Sequence, residues 1–90
     1  MQNFDLQETP HGSRLLGETH ATRWHLDVPL APDTLDTIIR AAFVAPWNQP
    51  RVEVDGVIAD QIPTGVQVRV AANSTWFDIS WKHLAKRYVN

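Results

Sequence analysis

RVEVDGVIADQIPTGVQVRVAANSTWFDIS, residues 51–80, is the stretch whose reading decides the fold class. Val52 and Val54 alternate with Arg51 and Glu53. Asp55-Gly56 then supplies two residues that tolerate positive φ, as a tight hairpin turn demands, and Val57-Ile58 resumes the apolar run. Pro63-Thr64-Gly65 marks a second turn and Asn73-Ser74 a third, each built from residues that fix or relax turn dihedrals. Between them Val66, Val68 and Val70 alternate with Gln67 and Arg69. Beyond them Phe77, Ile79 and Trp81 alternate with Trp76, Asp78 and Ser80. A period of two places one set of side chains on each face of a sheet. The reading is an antiparallel meander of about four strands from 51 to 80.

Working outward, residues 33–44 change period. Leu35, Ile38, Ile39, Ala42 and Phe43 fall at i, i+3, i+4, i+7 and i+8, one apolar stripe of a helix. Asp33 is expected to cap its free amides, with Asp36 in the first turn where the helix dipole favours an anion. Pro46 drives Ala45 out of helical space and ends the element. Upstream, Trp24, Leu26 and Val28 alternate with Arg23, His25 and Asp27, so residues 22–28 form a half-buried strand. Phe4 to Gln7 reads as a short edge strand, and residues 13–20 show no decided period. At the other end Trp81, Leu84, Ala85 and Tyr88 recur at helical spacing, a short helix that must dock to persist. The order β-β-α-β-β-β-β-α predicts a single α+β domain with an antiparallel sheet. A small SH3-like barrel over 50–82 with an N-terminal extension is the alternative arrangement.

Ninety residues allow one domain, whose folded surface should be roughly 5,300 Å². That supports one modest core and argues against a spacious catalytic cleft. The composition, 43% hydrophobic and 20% charged, excludes disordered, collagenous and coiled-coil classes. No apolar run approaches the ~18 residues of a membrane span, so no membrane partner is expected. There is no cysteine, which excludes disulfides and thiolate zinc sites and fits a reducing, cytoplasmic setting. The start at Met1 lacks a basic segment followed by an apolar one, so it reads as a whole small protein with no signal peptide. The net charge of −2 hides an asymmetry. Residues 1–60 carry nine acids against four arginines, a net −5, while residues 61–90 carry four bases against Asp78, a net +3. The two halves either meet and neutralise each other or leave a basic patch for an anionic partner.

The catalytic and metal classes find little in this chain. His11, His20, His25 and His83 show no metal-ligand spacing, and a site from His20, His25 and Asp27 would need a bulge, so no metal or other cofactor is expected. Ser13, Ser74 and Ser80 lie outside any nucleophile elbow. Gly12, Gly17, Gly56 and Gly65 are isolated, at turns or strand ends, and form no phosphate loop. A metal-independent nuclease would need only a base and cations for the phosphate, and His83 with Lys82, Lys86 and Arg87 could supply them. The same residues are equally explained as the wet face of a terminal helix.

The binding class has better material. Trp24 and Trp81 lie on apolar periodic faces and are expected in the core. Trp47 sits in Pro46-Trp47-Asn48-Gln49-Pro50, and Trp76 falls on the polar side of its strand. Tryptophan is enriched among interface hot spots, so Trp47, Asn48, Gln49 and Trp76 are the candidate protein-binding residues. Arg69, Lys82, His83, Lys86 and Arg87 are candidates for contact with phosphate or an acidic partner. A pI near 6.0 weighs against nucleic acid. The expected function is a small non-enzymatic binding protein, an adaptor, inhibitor or regulator meeting another protein. By analogy of size alone, this includes proteins encoded by viruses of bacteria. Nucleic-acid binding through the basic C-terminal helix is the alternative, and pairing of two copies at a sheet edge is a further expectation.

Overall fold

The computed structural model describes residues 4–19 and 22–89. Its elements run β1 (Phe4–Thr9), β2 (Gly12–Thr19), β3 (Thr22–Val28), α1 (Pro32–Val44), β4 (Arg51–Val54), β5 (Val57–Ile62), β6 (Gly65–Val70), β7 (Thr75–Ser80) and α2 (Trp81–Tyr88). They make an α+β domain of two antiparallel sheets, β1-β2-β3 and β4-β5-β6-β7. Residues 51–80 are the four-stranded meander that their alternation requires. β4 pairs only with β5 and β7 only with β6, so the sheet stays open and does not close into the alternative barrel. The accessible surface is 5699 Å², slightly above the expectation for this mass, as befits two small sheets in place of one.

The undecided segment 13–20 is β2. Its Leu15-Leu16 pair blurs the period, but Leu15 is fully buried while Leu16 lies on the other face opposite Asp5 and His25. Gly17 is not at a strand end as expected. It lies within β2 beneath the Trp24 indole, where an added Cβ would collide with the ring. A side chain there would displace Trp24 from its stack on Phe77 of β7, whose plane is tilted by only 16°. That stack joins the two sheets.

Both helices cover the inner face of the four-stranded sheet. Leu35, Ile38, Ile39 and Ala42 of α1 and Leu84 of α2 share one core with Val57, Ala59, Val66, Val68, Val70 and Ile79. Leu15, Leu26 and Val28 of the first sheet complete it. The helix α1 begins one residue earlier than expected, and Asp33 does not cap it. Ala31 holds the N-cap position without a side-chain bond and Pro32 opens the first turn. Proline is suited to that position because its missing N–H would be unpaired there anyway and its φ is already helical. At the other end Ala45 turns extended before Pro46, as the proline demands. The carbonyls left over are satisfied from β5. The Gln61 side-chain amide donates to the carbonyls of Ala42 at 2.8 Å and Ala45 at 2.9 Å.

The hairpin turns follow the sequence closely. Asp55 and Gly56 take φ of 49° and 82°, and Ser74 takes 57°. Helix α2 is capped by Ser80, whose hydroxyl accepts the His83 N–H. Its start at Trp81 makes this residue the first turn of the helix rather than the last residue of the strand. Trp81 is 37% exposed instead of core, with its indole N–H donating to the Pro63 carbonyl at 2.9 Å. Where Trp47 and Trp81 stand is therefore fixed by the same end of the molecule, where α1 ends and α2 begins.

Candidate functional site

Proline on either side and one backbone bond build the loop between α1 and β4. The Gln49 N–H donates to the Pro46 carbonyl at 2.9 Å, closing a turn with Trp47 and Asn48 at its tip. Trp47 is 87% exposed, and Asn48 and Gln49 are exposed beside it. An indole left in water forfeits a large burial free energy, and its pre-set turn lowers the entropy lost on binding. The loop is held from behind. Gln61 grips the end of α1, and its backbone N–H donates to the Pro50 carbonyl at 3.0 Å. Val44, 69% exposed, precedes the loop. Gln61 leads directly to Pro63, the residue bonded by Trp81, so the second indole belongs to the same end. Phe43 completes the group, its ring 6.3 Å from that of Trp81.

From this end runs the outer face of α2, with Lys82 and Lys86 exposed. The structure divides the basic set predicted from sequence. Arg87 is turned back into the fold. Its Nε donates to the Asp36 carboxylate at 3.1 Å, and its guanidinium lies 4.9 Å above the Phe4 ring. Tyr88 donates its hydroxyl to the same Asp36 oxygen at 2.8 Å. Burial would lower the Arg87 pKa, but the bond and charge of Asp36 outweigh it and leave the pKa raised. Burial, then the bond to Asp36, push the Tyr88 phenol well above the ordinary tyrosine range. Asp36 and Arg87 join the acidic first half of the chain to the basic second half. Arg87 thereby fastens α2 to α1 and β1.

His83 is half-buried on α2, and its pKa is lowered, first by burial and then by the charges of Lys82 and Lys86. The neutral imidazole is thus favoured in the fold. Of the grouping His83, Lys82, Lys86 and Arg87, Arg87 already carries Asp36 as a counter-ion.

Arg69 and Trp76 lie elsewhere. They face each other across β6 and β7 on the sheet surface opposite the helices, since Val66, Val68 and Val70 of β6 face the core. Trp76 is 60% exposed. Of the histidines, His20 lies outside the described residues. His25 is exposed on the outer face of β3, and Asp27 is held by Arg14 at 2.8 Å. That hydrogen bond keeps the Asp27 carboxyl below its usual range. Among the described residues no group of three or more metal-ligating side chains converges.

A cavity of about 380 Å³ opens between the β1–β2 turn and the segment after β6, lined by His11, Ser13, Arg14, Asp27, Val28 and Val70 among others. Its polar groups are largely occupied with one another. Arg14 is paired to Asp27, and the Ser13 hydroxyl donates to the Leu30 carbonyl. At the exposed edge of the first sheet, the Asp5 carboxylate accepts the Leu6 N–H at 2.9 Å and so competes with strand addition at β1.

Sequence reasoning missed the part played by Trp81, Pro63 and Val44 at the Trp47 end. The helical start at residue 81 is the signal that would have moved Trp81 from the core to the rim. Set against protein families, characterised proteins and solved structures, the chain matches none.

Proposed function

We propose that this chain is a non-enzymatic binding protein of the cytoplasm, an adaptor, inhibitor or regulator that engages another protein through the Trp47 end. The observation that carries this reading is an indole 87% exposed at the tip of a hydrogen-bonded, proline-flanked turn. Trp81, Val44 and Phe43 extend the apolar area. Hot-spot tryptophans are typically surrounded by such secondary contacts. Lys82 and Lys86 on the adjoining helix favour a partner with an acidic rim, and their contribution is chiefly to encounter rate and orientation.

The test is a pull-down from the native cell extract with wild type and Trp47→Ala, followed by titration of the retained protein. Trp47→Ala is expected to weaken the complex about 30-fold or more, which corresponds to a hot spot of about 2 kcal/mol. Stability should change by less than about 0.5 kcal/mol, because the ring is exposed. A variant that captures the same partner with equal affinity, or that unfolds, would overturn the reading. If binding is instead to nucleic acid, it falls steeply with salt and is lost on charge reversal at Lys82 and Lys86, with Trp47→Ala neutral.

A further inference from the structure

Arg69 differs from the other arginines of the described chain. Arg14 pairs with Asp27, Arg23 with Glu18, Arg51 with Asp60 and Arg87 with Asp36, while Arg40 lies over the Tyr88 ring. Arg69 makes no ion pair among the described residues, and its Nε is buried without an acceptor. A buried donor with no partner is costly, and native folds rarely leave one without a reason.

Arg69 also borders an open notch. Arg69 stands directly opposite Trp76, and such cross-strand pairs bring their Cβ atoms within about 5.5 Å. Both line a depression of about 280 Å³ together with Val70, Ala71, Ser74 and Thr75. On the other side of Arg69 in the same row is Ile58, nearly buried. The notch therefore joins a forked donor to a flat, exposed indole and an apolar flank. The acids nearby limit what can enter. Glu53 ends the same transverse row, and Asp60 and Asp78 lie in the next. Asp60 is held by Arg51 and Asp78 by the Gln67 amide, so neither is engaged with Arg69. A polyanion laid across this face would meet all three carboxylates.

We propose that the Arg69–Trp76 notch binds a single oxyanion, a carboxylate or a phosphate monoester, carried beside a planar apolar group. The guanidinium fork matches the two oxygens of such a group, and the indole receives the flat part. The volume falls just below the usual range for whole small-molecule ligands, so the notch takes an end group rather than a long chain. This site lies on the face opposite the helices and is independent of the Trp47 surface.

The experiment is an NMR titration of the intact chain, following the Arg69 Nε–H and the Trp76 indole N–H. N-acetylphenylalanine is compared with its neutral amide, and adenosine monophosphate with adenosine. A saturable shift with a Kd on the order of 1 mM is expected for at least one charged probe, and at least tenfold weaker binding for its neutral counterpart. The charged probe that binds distinguishes carboxylate from phosphate. Arg69→Gln should lose at least tenfold, Arg69→Lys should bind less well than wild type because it lacks the fork, and Trp47→Ala should change nothing. If Arg69→Gln fails to fold, Trp76→Ala replaces it and should also weaken the charged probe at least severalfold. Equal binding of charged and neutral probes, no saturation up to about 20 mM, or an Arg69→Gln or Trp76→Ala variant that folds and binds like wild type would each overturn the proposal.

Discussion

The sheet of residues 51–80 carries its instructions locally, whereas the sheet of residues 4–28 depends on what packs against it. In the first of these, β4, β6 and β7 alternate while β5 opens on the apolar run Val57-Ile58-Ala59, and each sharp turn has a residue suited to its dihedrals, Asp55-Gly56 and Ser74 among them. In the second, Leu15-Leu16 blurs the period, and Gly17 serves an indole rather than a turn. Its inner face is completed by groups from far along the chain. Trp24 lies on Phe77, and Phe4 lies beneath Arg87 and beside Tyr88. The difference teaches that the seam between the sheets, not the strands themselves, secures the N-terminal third. It also separates two kinds of tryptophan. Trp24 is spent on the seam, while Trp47 and Trp76 remain in solvent.

The comparison breaks most directly at Trp24. Trp24→Ala is expected to cost about 3–5 kcal/mol, a large part of the stability of a domain this size. Urea melts read by circular dichroism should show one transition at a much lower midpoint. A loss below about 1 kcal/mol would mean that the first sheet stands without the seam. The next effect is at Gln61, which sharpens the other side of the comparison. Gln61→Ala leaves the Ala42 and Ala45 carbonyls without their side-chain donor and should cost about 1–3 kcal/mol in the same melts. An unchanged midpoint would show that water replaces the amide.

The smallest effect is confined to alkaline pH. Tyr88 is the single tyrosine, so ultraviolet absorbance reports its ionisation alone. Burial and the bond to Asp36 raise its folded pKa above the unfolded value of about 10. The fold therefore favours the neutral phenol. Its contribution is complete below pH about 10 and is lost as pH rises from there toward the folded pKa. The absorbance midpoint should lie clearly above 10 in the folded chain and return to about 10 in guanidinium. An ordinary midpoint in the folded protein would mean that the Tyr88–Asp36 contact between α2 and α1 is not held in solution.

How much of this was legible follows the same division. The four C-terminal strands, α1 and α2 could be read because their periods and turn residues are local properties. The start of α1 was misread by one residue because Asp33 is a good cap in isolation, while Pro32 competes better for the first helical position. Trp47 could be singled out from its prolines, but not its exposure. Arg69 and Arg87 looked alike as basic residues near the C-terminus. Among the described residues one has no ion pair and lies on the outer sheet face, and the other is bound to Asp36, 51 positions away.

By itself, the sequence determined the α+β class, the meander, the helical stripes and the hairpin turns, because dihedral preference and apolar period act over a few residues. Tertiary structure alone decided which tryptophans meet solvent, which arginine lacks an ion pair among the described residues, and that Asp36 receives both Arg87 and Tyr88. Those outcomes depend on distances between residues remote in the chain, and no local pattern encodes them until the helices and the two sheets have packed.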